Sequence, residues 1–341
     1  MKRKNSSFLE LLNNFFTEYL QIAAGASKNT IKSYKSSFRL LLKYIYQEKG
    51  ISADQISFET LDYQTIIGFL SWLENSRGCC VNTKNQRLSA LASFSTYAQN
   101  RDFEAESTFR SSIARIPMRK TTHKNRAIFT REEITILLRI PDDHHEIGLR
   151  DKVLLSLMYA SGARAQEICD LTVKDVQFSE KGANINITGK GQKKRRIVIS
   201  NACASLLNGY INHRLISLLP ERHIFSSQTH EKMTISCIEA IFKKYVRVAK
   251  QINPSLFIDN NYTPHSMRHS TASHMLESGV PLAVIKNFLG HSSLQSTQIY
   301  AEISQNTVDK HLMEWNERWF PAQSNVDSFT IIDNEIPEFL R

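Results

Sequence analysis

His265, Arg268, His291 and Tyr300 bring two imidazoles, a guanidinium and a phenol into one short stretch, TPHSMRHSTASHMLESGVPLAVIKNFLGHSSLQSTQIY, residues 263–300. A guanidinium and imidazoles can hold a phosphate, and a phenol can attack one. His265 and Arg268 are three apart and so share a helix face. The same residues also suit plainer roles, since histidines near helix ends commonly cap or sit at the surface. His265 and His269, four apart, could clasp a metal ion, although no carboxylate lies between them in the HExxH manner.

The punctuation of this stretch predicts three short helices. Thr263 can cap a helix that opens on Pro264 and ends before Gly279. Pro281 opens a second, which Gly290 ends. His291 follows that glycine, so its ring leaves the helix axis. Ser292 or Ser293 can cap a third helix carrying Tyr300.

Further cations stand upstream. Thr130 and Glu133 form a capping-box pattern that opens a helix. The run DDHHE at 142–146 has metal-ligand residue types, but consecutive side chains diverge, so it reads as an exposed loop and helix start. A strongly apolar helix spans about 147–160. Ser161 and Gly162 break it, and Arg164 and Glu167 lead into the next. Arg164 is a full charge directly after a buried helix; it could serve chemistry or simply pair with Glu167. Residues 176–200 carry the β signal. Ile185 and Ile187 alternate with Asn184, Asn186 and Thr188, Gly189-Lys190-Gly191 turns the chain, and Ile197 and Ile199 alternate on the return. The turn and return hold Lys190, Lys193, Lys194, Arg195 and Arg196, a hairpin suited to insertion toward DNA or, alternatively, a solvated basic turn. Helices are expected at about 202–217, 234–251 and 304–319.

Residues 7 to about 103 read as a bundle of four helices, with Phe8, Leu11, Leu12, Phe15, Phe16 and Leu20 at helical spacing, and later helices near 28–49, 62–75 and 82–100. Lys84 and Arg87 are among its scattered basic residues. The segment 110–126, RSSIARIPMRKTTHKNR, holds six Lys or Arg and no acid. It reads as an interdomain linker whose Arg119, Lys120, Lys124 and Arg126 suit contact with a nucleic-acid backbone.

Composition narrows the partners. The 341 residues allow two domains, and 41% hydrophobic with 22% charged residues is ordinary for a globular chain. A formal charge of +10 favours a polyanion, either nucleic acid or an anionic membrane surface. No apolar run approaches the roughly 18 residues of a membrane span. The start has no apolar core followed by a cleavage site, so no secretory signal is expected. Five cysteines without a CxxC pair suit reduced thiols in a cytoplasm.

Four blocks, SGARAQEICDL at 161–171, ITGKGQKKRRIVIS at 187–200, TPHSMRHSTASHML at 263–276 and LGHSSLQSTQIYAEI at 289–303, resemble the tyrosine recombinases, or phage integrase family, in order and spacing. Residues 127–320 resemble that family's catalytic domain, and the bundle at 1–109 its core-binding, DNA-binding domain. The resemblance implies a mainly α fold with a small antiparallel β-sheet (α+β). It implies that Arg164 and Arg268 grip a scissile phosphate, that Lys190 is the hairpin lysine, that His265 and His291 complete the phosphate site, and that Tyr300 is the nucleophile. Further DNA contacts are expected at Lys84, Arg87, Arg119, Lys120, Lys124, Arg126, Lys193, Lys194 and Arg195.

The resemblance also implies double-stranded DNA as partner, a homotetramer on two DNA sites during recombination, and no cofactor, metal ion or ATP. The tail at 321–341, with Ile331, Ile332, Ile336 and Phe339, could contact a neighbouring protomer or be a disordered extension. The expected function is site-specific recombination for integration, excision or transposition of a mobile element, with chromosome-dimer resolution as an alternative, and two other functions stay open on the sequence. A type IB topoisomerase would use related chemistry without a defined site, and a non-catalytic DNA-binding protein would use the same basic surface.

Overall fold

A computed structural model describes residues 8–101, 107–120, 127–259 and 261–290. The expected third helix with Tyr300, the helix at 304–319 and the tail lie outside the described residues. The chain divides into two compact units, Met1–Lys124 and Asn125–Arg341.

The first unit is helical. It comprises α1 (Phe8–Asn14), α2 (Lys28–Lys49), α3 (Tyr63–Asn75), α4 (Val81–Gln99) and α5 (Ser107–Ala114). Local chemistry sets several ends. Ser27 Oγ accepts from the Thr30 N–H at the start of α2, and Gly50, in the left-handed region, closes it. Asp62 caps α3 in the same way through Thr65. Beyond α1 the helix widens into a π-helical stretch, Phe15–Ala23, rather than continuing with α-helical spacing. The neighbours Phe15 and Phe16 are both buried there, one edge-on to Phe94 and the other to Phe38. The core is an aromatic cluster in which Phe94 also meets Phe8, Phe38 and Phe109 edge-on or tilted.

The segment expected as a linker from residue 110 onward differs. α5 runs into it, and Phe109, Ile113 and Ile116 are buried in the bundle core. Their near-helical spacing lay behind the arginines that dominate the segment's composition. Farther on, Asn85 donates to the Arg119 carbonyl at 2.8 Å and accepts from the Arg119 N–H at 3.2 Å. The bundle therefore holds the chain through at least Arg119.

The second unit is α+β. Its helices are α6 (Arg131–Arg139), α7 (Glu146–Ser161), α8 (Ala165–Asp170), α9 (Asn201–His213), α10 (Ile235–Ile252), α11 (Pro264–Glu277) and α12 (Leu282–Leu289). Strands β1 (Val176–Ser179), β2 (Gly182–Thr188) and β3 (Lys194–Ser200) form one antiparallel sheet in the order β1-β2-β3. The expected hairpin, β2 and β3, is thus two strands of a three-stranded sheet with β2 at its centre. Ile185 faces Val176 on one side and Ile197 on the other, and all three are buried. Alternation puts Ala183, Ile185 and Ile187 into the core and leaves Thr188 exposed. α7 packs against α9, α11 and β3, so the sheet and α11 share one apolar body. The Thr130 capping box opens α6 as expected, and its Glu133 carboxylate also accepts from the Tyr262 hydroxyl at 3.0 Å. Among the described residues no helix is long and apolar enough to cross a membrane.

Candidate active site

Arg164 ends the break after α7 and stands at the N-cap of α8. Its N–H donates to Glu167 Oε2 at 2.8 Å, and its Nη1 donates to Glu167 Oε1 at 2.9 Å. Pairing with Glu167 and availability to a ligand are compatible here, because about a third of the Arg164 side chain, 34%, remains exposed.

Arg268 reaches the same place from α11. Thr263 Oγ1 accepts from the Ser266 N–H to start that helix, with Pro264 in its first turn, as the sequence predicts. One turn later Arg268 is 2% exposed. Its Nη1 donates to the Gly162 carbonyl and its Nη2 to the Leu289 carbonyl, each at 2.6 Å. Its Nη1 also lies 4.0 Å from Glu167 Oε2. The two arginines therefore converge although the sequence separates them widely.

Glu167 is the anionic centre of this cluster. Arg195 of β3 meets it fork to fork, Nη1 to Oε1 at 3.0 Å and Nη2 to Oε2 at 2.7 Å. Burial acts to raise the Glu167 carboxyl; the Arg195 hydrogen bonds, the Arg164 N–H and the two guanidinium charges outweigh it and hold the group below its ordinary value. A single carboxylate thus organises three guanidiniums and leaves the cluster with net positive charge, as an anionic ligand requires.

Lys190 begins the short 3₁₀ turn Lys190–Gln192 between β2 and β3. Gly189 N–H donates to the Lys193 carbonyl at 2.8 Å and closes the base of the turn, while Gly191 takes a positive φ of 75°. His265 is exposed on the first turn of α11, its ring centroid 5.0 Å from that of His269, which is buried. His291 and Tyr300 lie outside the described residues. Gly290 ends α12 at φ 66°, and the Leu289 carbonyl just before it accepts from Arg268.

The expected DNA contacts divide by orientation. Lys193, Lys194, Arg119 and Lys120 are exposed. Arg87 is turned to the Ser33 carbonyl and the Ser37 hydroxyl, each at 3.1 Å. Lys84 is buried against Glu74, and the Arg195 side chain is 9% exposed against Glu167. Lys84 and Arg195 thus face inward, because a carboxylate elsewhere in each unit captures the charge. Lys124 and Arg126 lie outside the described residues. The 142–146 run is an exposed turn, as expected. Donor atoms of Asp142, Asp143 and His144 lie within 4.8 Å of one another, and Asp143 is bridged to Lys152 at 2.5 Å. Sequence reasoning missed the central role of Glu167 and the inward turn of Arg195. The available signal was an acid three residues after Arg164, in a set otherwise composed of cations.

Residues 127–307 match the Phage integrase family, and residues 7–114 match the Phage integrase SAM-like domain. The chain belongs to the phage integrase family. These are the tyrosine recombinases, whose members are DNA strand transferases. The chain is 32% identical over 88% of its length to y4rC of Sinorhizobium fredii, an integrase/recombinase by description, and covers 89% of that protein. It is 30% identical to tyrosine recombinase XerC of Bacillus subtilis, covering 92% of this chain and 99% of the relative. Its fold resembles that of XerH recombinase bound to difH DNA, at a TM-score of 0.66 and 20% identity, over 91% of this chain and 88% of that one. It also resembles the Tn1549 transposon integrase bound to circular intermediate DNA, at 0.69 and 14%, over 89% and 98%. The Arg164, Arg268 and Lys190 segments and the Tyr300 position all fall inside the matched integrase region.

Proposed function

We propose that this tyrosine recombinase cuts and rejoins double-stranded DNA at specific sites, with Tyr300 as the nucleophile. The phenolic oxygen attacks the scissile phosphorus, the bond to the 5′-oxygen breaks, and a 3′-phosphotyrosine and a free 5′-hydroxyl result. The phenol proton passes to His265, and Lys190 on its turn supplies a proton to the leaving 5′-oxygen. Arg164 and Arg268 stabilise the charge that builds on the non-bridging oxygens, with His291 as a further donor. One phosphoester replaces another, so bond energy is retained and the reverse step, attack by a second strand's 5′-hydroxyl, needs no ATP.

The observation that carries this reading is the convergence of Arg164 and Arg268 around Glu167, with the Lys190 turn joined to the same carboxylate through Arg195. Backbone contacts by exposed cations, including Lys193 and Lys194, supply salt-dependent affinity. The active assembly is a tetramer on two DNA sites, and the biological role is integration, excision or transposition of a mobile element. Resolution of chromosome dimers is the second reading, favoured by the 30% identity to XerC over nearly the whole chain.

Incubation with a nicked cognate site traps a covalent complex at Tyr300, and Tyr300→Phe binds DNA normally but forms none. Absence of any adduct in the wild type, or unchanged cleavage by Tyr300→Phe, overturns the assignment. Relaxation of supercoils without site preference, faster than strand exchange, would favour a topoisomerase. Sequencing the DNA joined to the trapped protein separates a mobile-element end from a chromosomal resolution site.

A further inference from the structure

We infer that Arg195 is a positioning residue that sets the Lys190 turn against the phosphate-gripping arginines, rather than a DNA contact. All three donor nitrogens of its guanidinium are engaged. Nη1 and Nη2 hold the Glu167 carboxylate, and Nε donates to the Phe288 carbonyl at 2.9 Å. Glu167 in turn holds Arg164 and neighbours Arg268. Arg195 thus ties β3 to the α8 start and to the last turn of α12.

Two glycines show how closely the chain wraps this side chain. A Cβ at Gly189, the residue before Lys190, would lie 3.3 Å from Glu167 Oε1 and 3.5 Å from Arg195 Nη1. A Cβ at Gly290, the residue before His291, would lie 3.0 Å from Arg195 Cδ and 3.2 Å from its Nη1. One side chain therefore abuts the backbone that leads into Lys190 and the backbone that leads into His291, while fork-to-fork pairing fixes it to the carboxylate that holds Arg164. Across the sheet Arg195 pairs with Ile187 of β2, so its anchoring fixes both legs of the turn. Lysine could not reproduce this, because one ammonium cannot span two carboxylate oxygens and a separate carbonyl in a plane.

This inference rests on Lys190 being the proton donor to the leaving group, and a substrate with sulfur in place of the bridging 5′-oxygen separates the two. A thiolate leaves without a proton, so a defect confined to proton donation disappears on that substrate. Single-turnover cleavage of oxygen- and sulfur-bridged sites is measured for wild type, Lys190→Ala, Arg195→Met and the double variant Glu167→Gln/Arg195→Met. The double variant removes both halves of the Arg195–Glu167 pair, so Glu167 is not left without that partner if Arg195→Met alone fails to fold.

Loss of the positioned acid should slow the oxygen substrate about 100-fold in the folded Arg195 variant, within the usual range for general acid catalysis, and most of that loss should vanish with sulfur. Arg195→Lys should not restore the oxygen rate. Rescue of Lys190→Ala but not of the Arg195 variants overturns the positioning role alone, as does a wild-type rate for those variants on oxygen. Failure of sulfur to rescue Lys190→Ala overturns the acid assignment and this inference with it.

Discussion

Nη1 of Arg268 donates to the Gly162 carbonyl at 2.6 Å, so the second arginine of the site is fastened to the loop that carries the first. The same guanidinium reaches the Leu289 carbonyl at the end of α12. These two carbonyls fix its direction, and under the proposed function a guanidinium held in this way stabilises developing charge at least reorganisation cost.

Arg268→Lys should therefore fail as a conservative change. A lysine keeps the charge but cannot bridge two carbonyls and present a planar fork to a phosphate. Single-turnover cleavage of a nicked site should fall at least about 100-fold, with affinity for intact DNA little changed. Cleavage near the wild-type rate would show that Arg268 serves the fold alone.

Gly162→Ala should unfold the second unit more easily. Gly162 holds φ 56°, where an L side chain costs about 1–2 kcal/mol. An added Cβ would also sit 2.9 Å from Phe288 Cε1 and 3.0 Å from Leu289 Cδ2. Urea unfolding should show a loss of at least about 1 kcal/mol, and cleavage should fall because the displaced carbonyl is the Arg268 acceptor.

Glu167→Gln should lower stability by about 3 kcal/mol at neutral pH, since three guanidiniums lose their shared counter-charge in a buried setting. The acid dependence follows from the depressed carboxyl. The folded state holds Glu167 below its ordinary value, so the stabilisation is fully present above the unfolded carboxylate range and is lost as pH falls through the folded value. The stability difference between wild type and Glu167→Gln should narrow on acidification. A difference that stays constant from neutral pH to acid would contradict the ionised hub.

Salt dependence should separate outward from inward cations. Lys193→Ala and Lys194→Ala each remove an exposed charge, and each should reduce the slope of log affinity against log salt by about 1. Lys84→Met should leave that slope unchanged and instead lower the melting temperature of the first unit, because Lys84 is buried against Glu74. A slope change for Lys84 equal to that for Lys193 would reverse the division.

Much of the local architecture is legible in residue order because short-range chemistry decides it. Thr263 and Pro264 start α11, Gly290 stops α12, and Thr130 with Glu133 opens α6, each through contacts within one helical turn. The alternation of Ile185, Ile187, Ile197 and Ile199 likewise declares β2 and β3. Composition conceals other features. The cations of 110–126 mask the apolar spacing of Phe109, Ile113 and Ile116 that makes α5 part of the bundle.

Residue types and spacing singled out His265, Arg268, His291 and Tyr300 and marked Arg164 as an unusual charge, and the family resemblance added Lys190 and a role for each. Only the tertiary structure decided which cations stay exposed and which are bound inside the protein. A charged side chain's direction depends on partners distant in sequence: Glu167 turns Arg195 inward, Glu74 does the same to Lys84, and the Gly162 and Leu289 carbonyls aim Arg268. Sequence spacing carries no information about such long-range electrostatic pairing, because only folding brings the partners within hydrogen-bond distance.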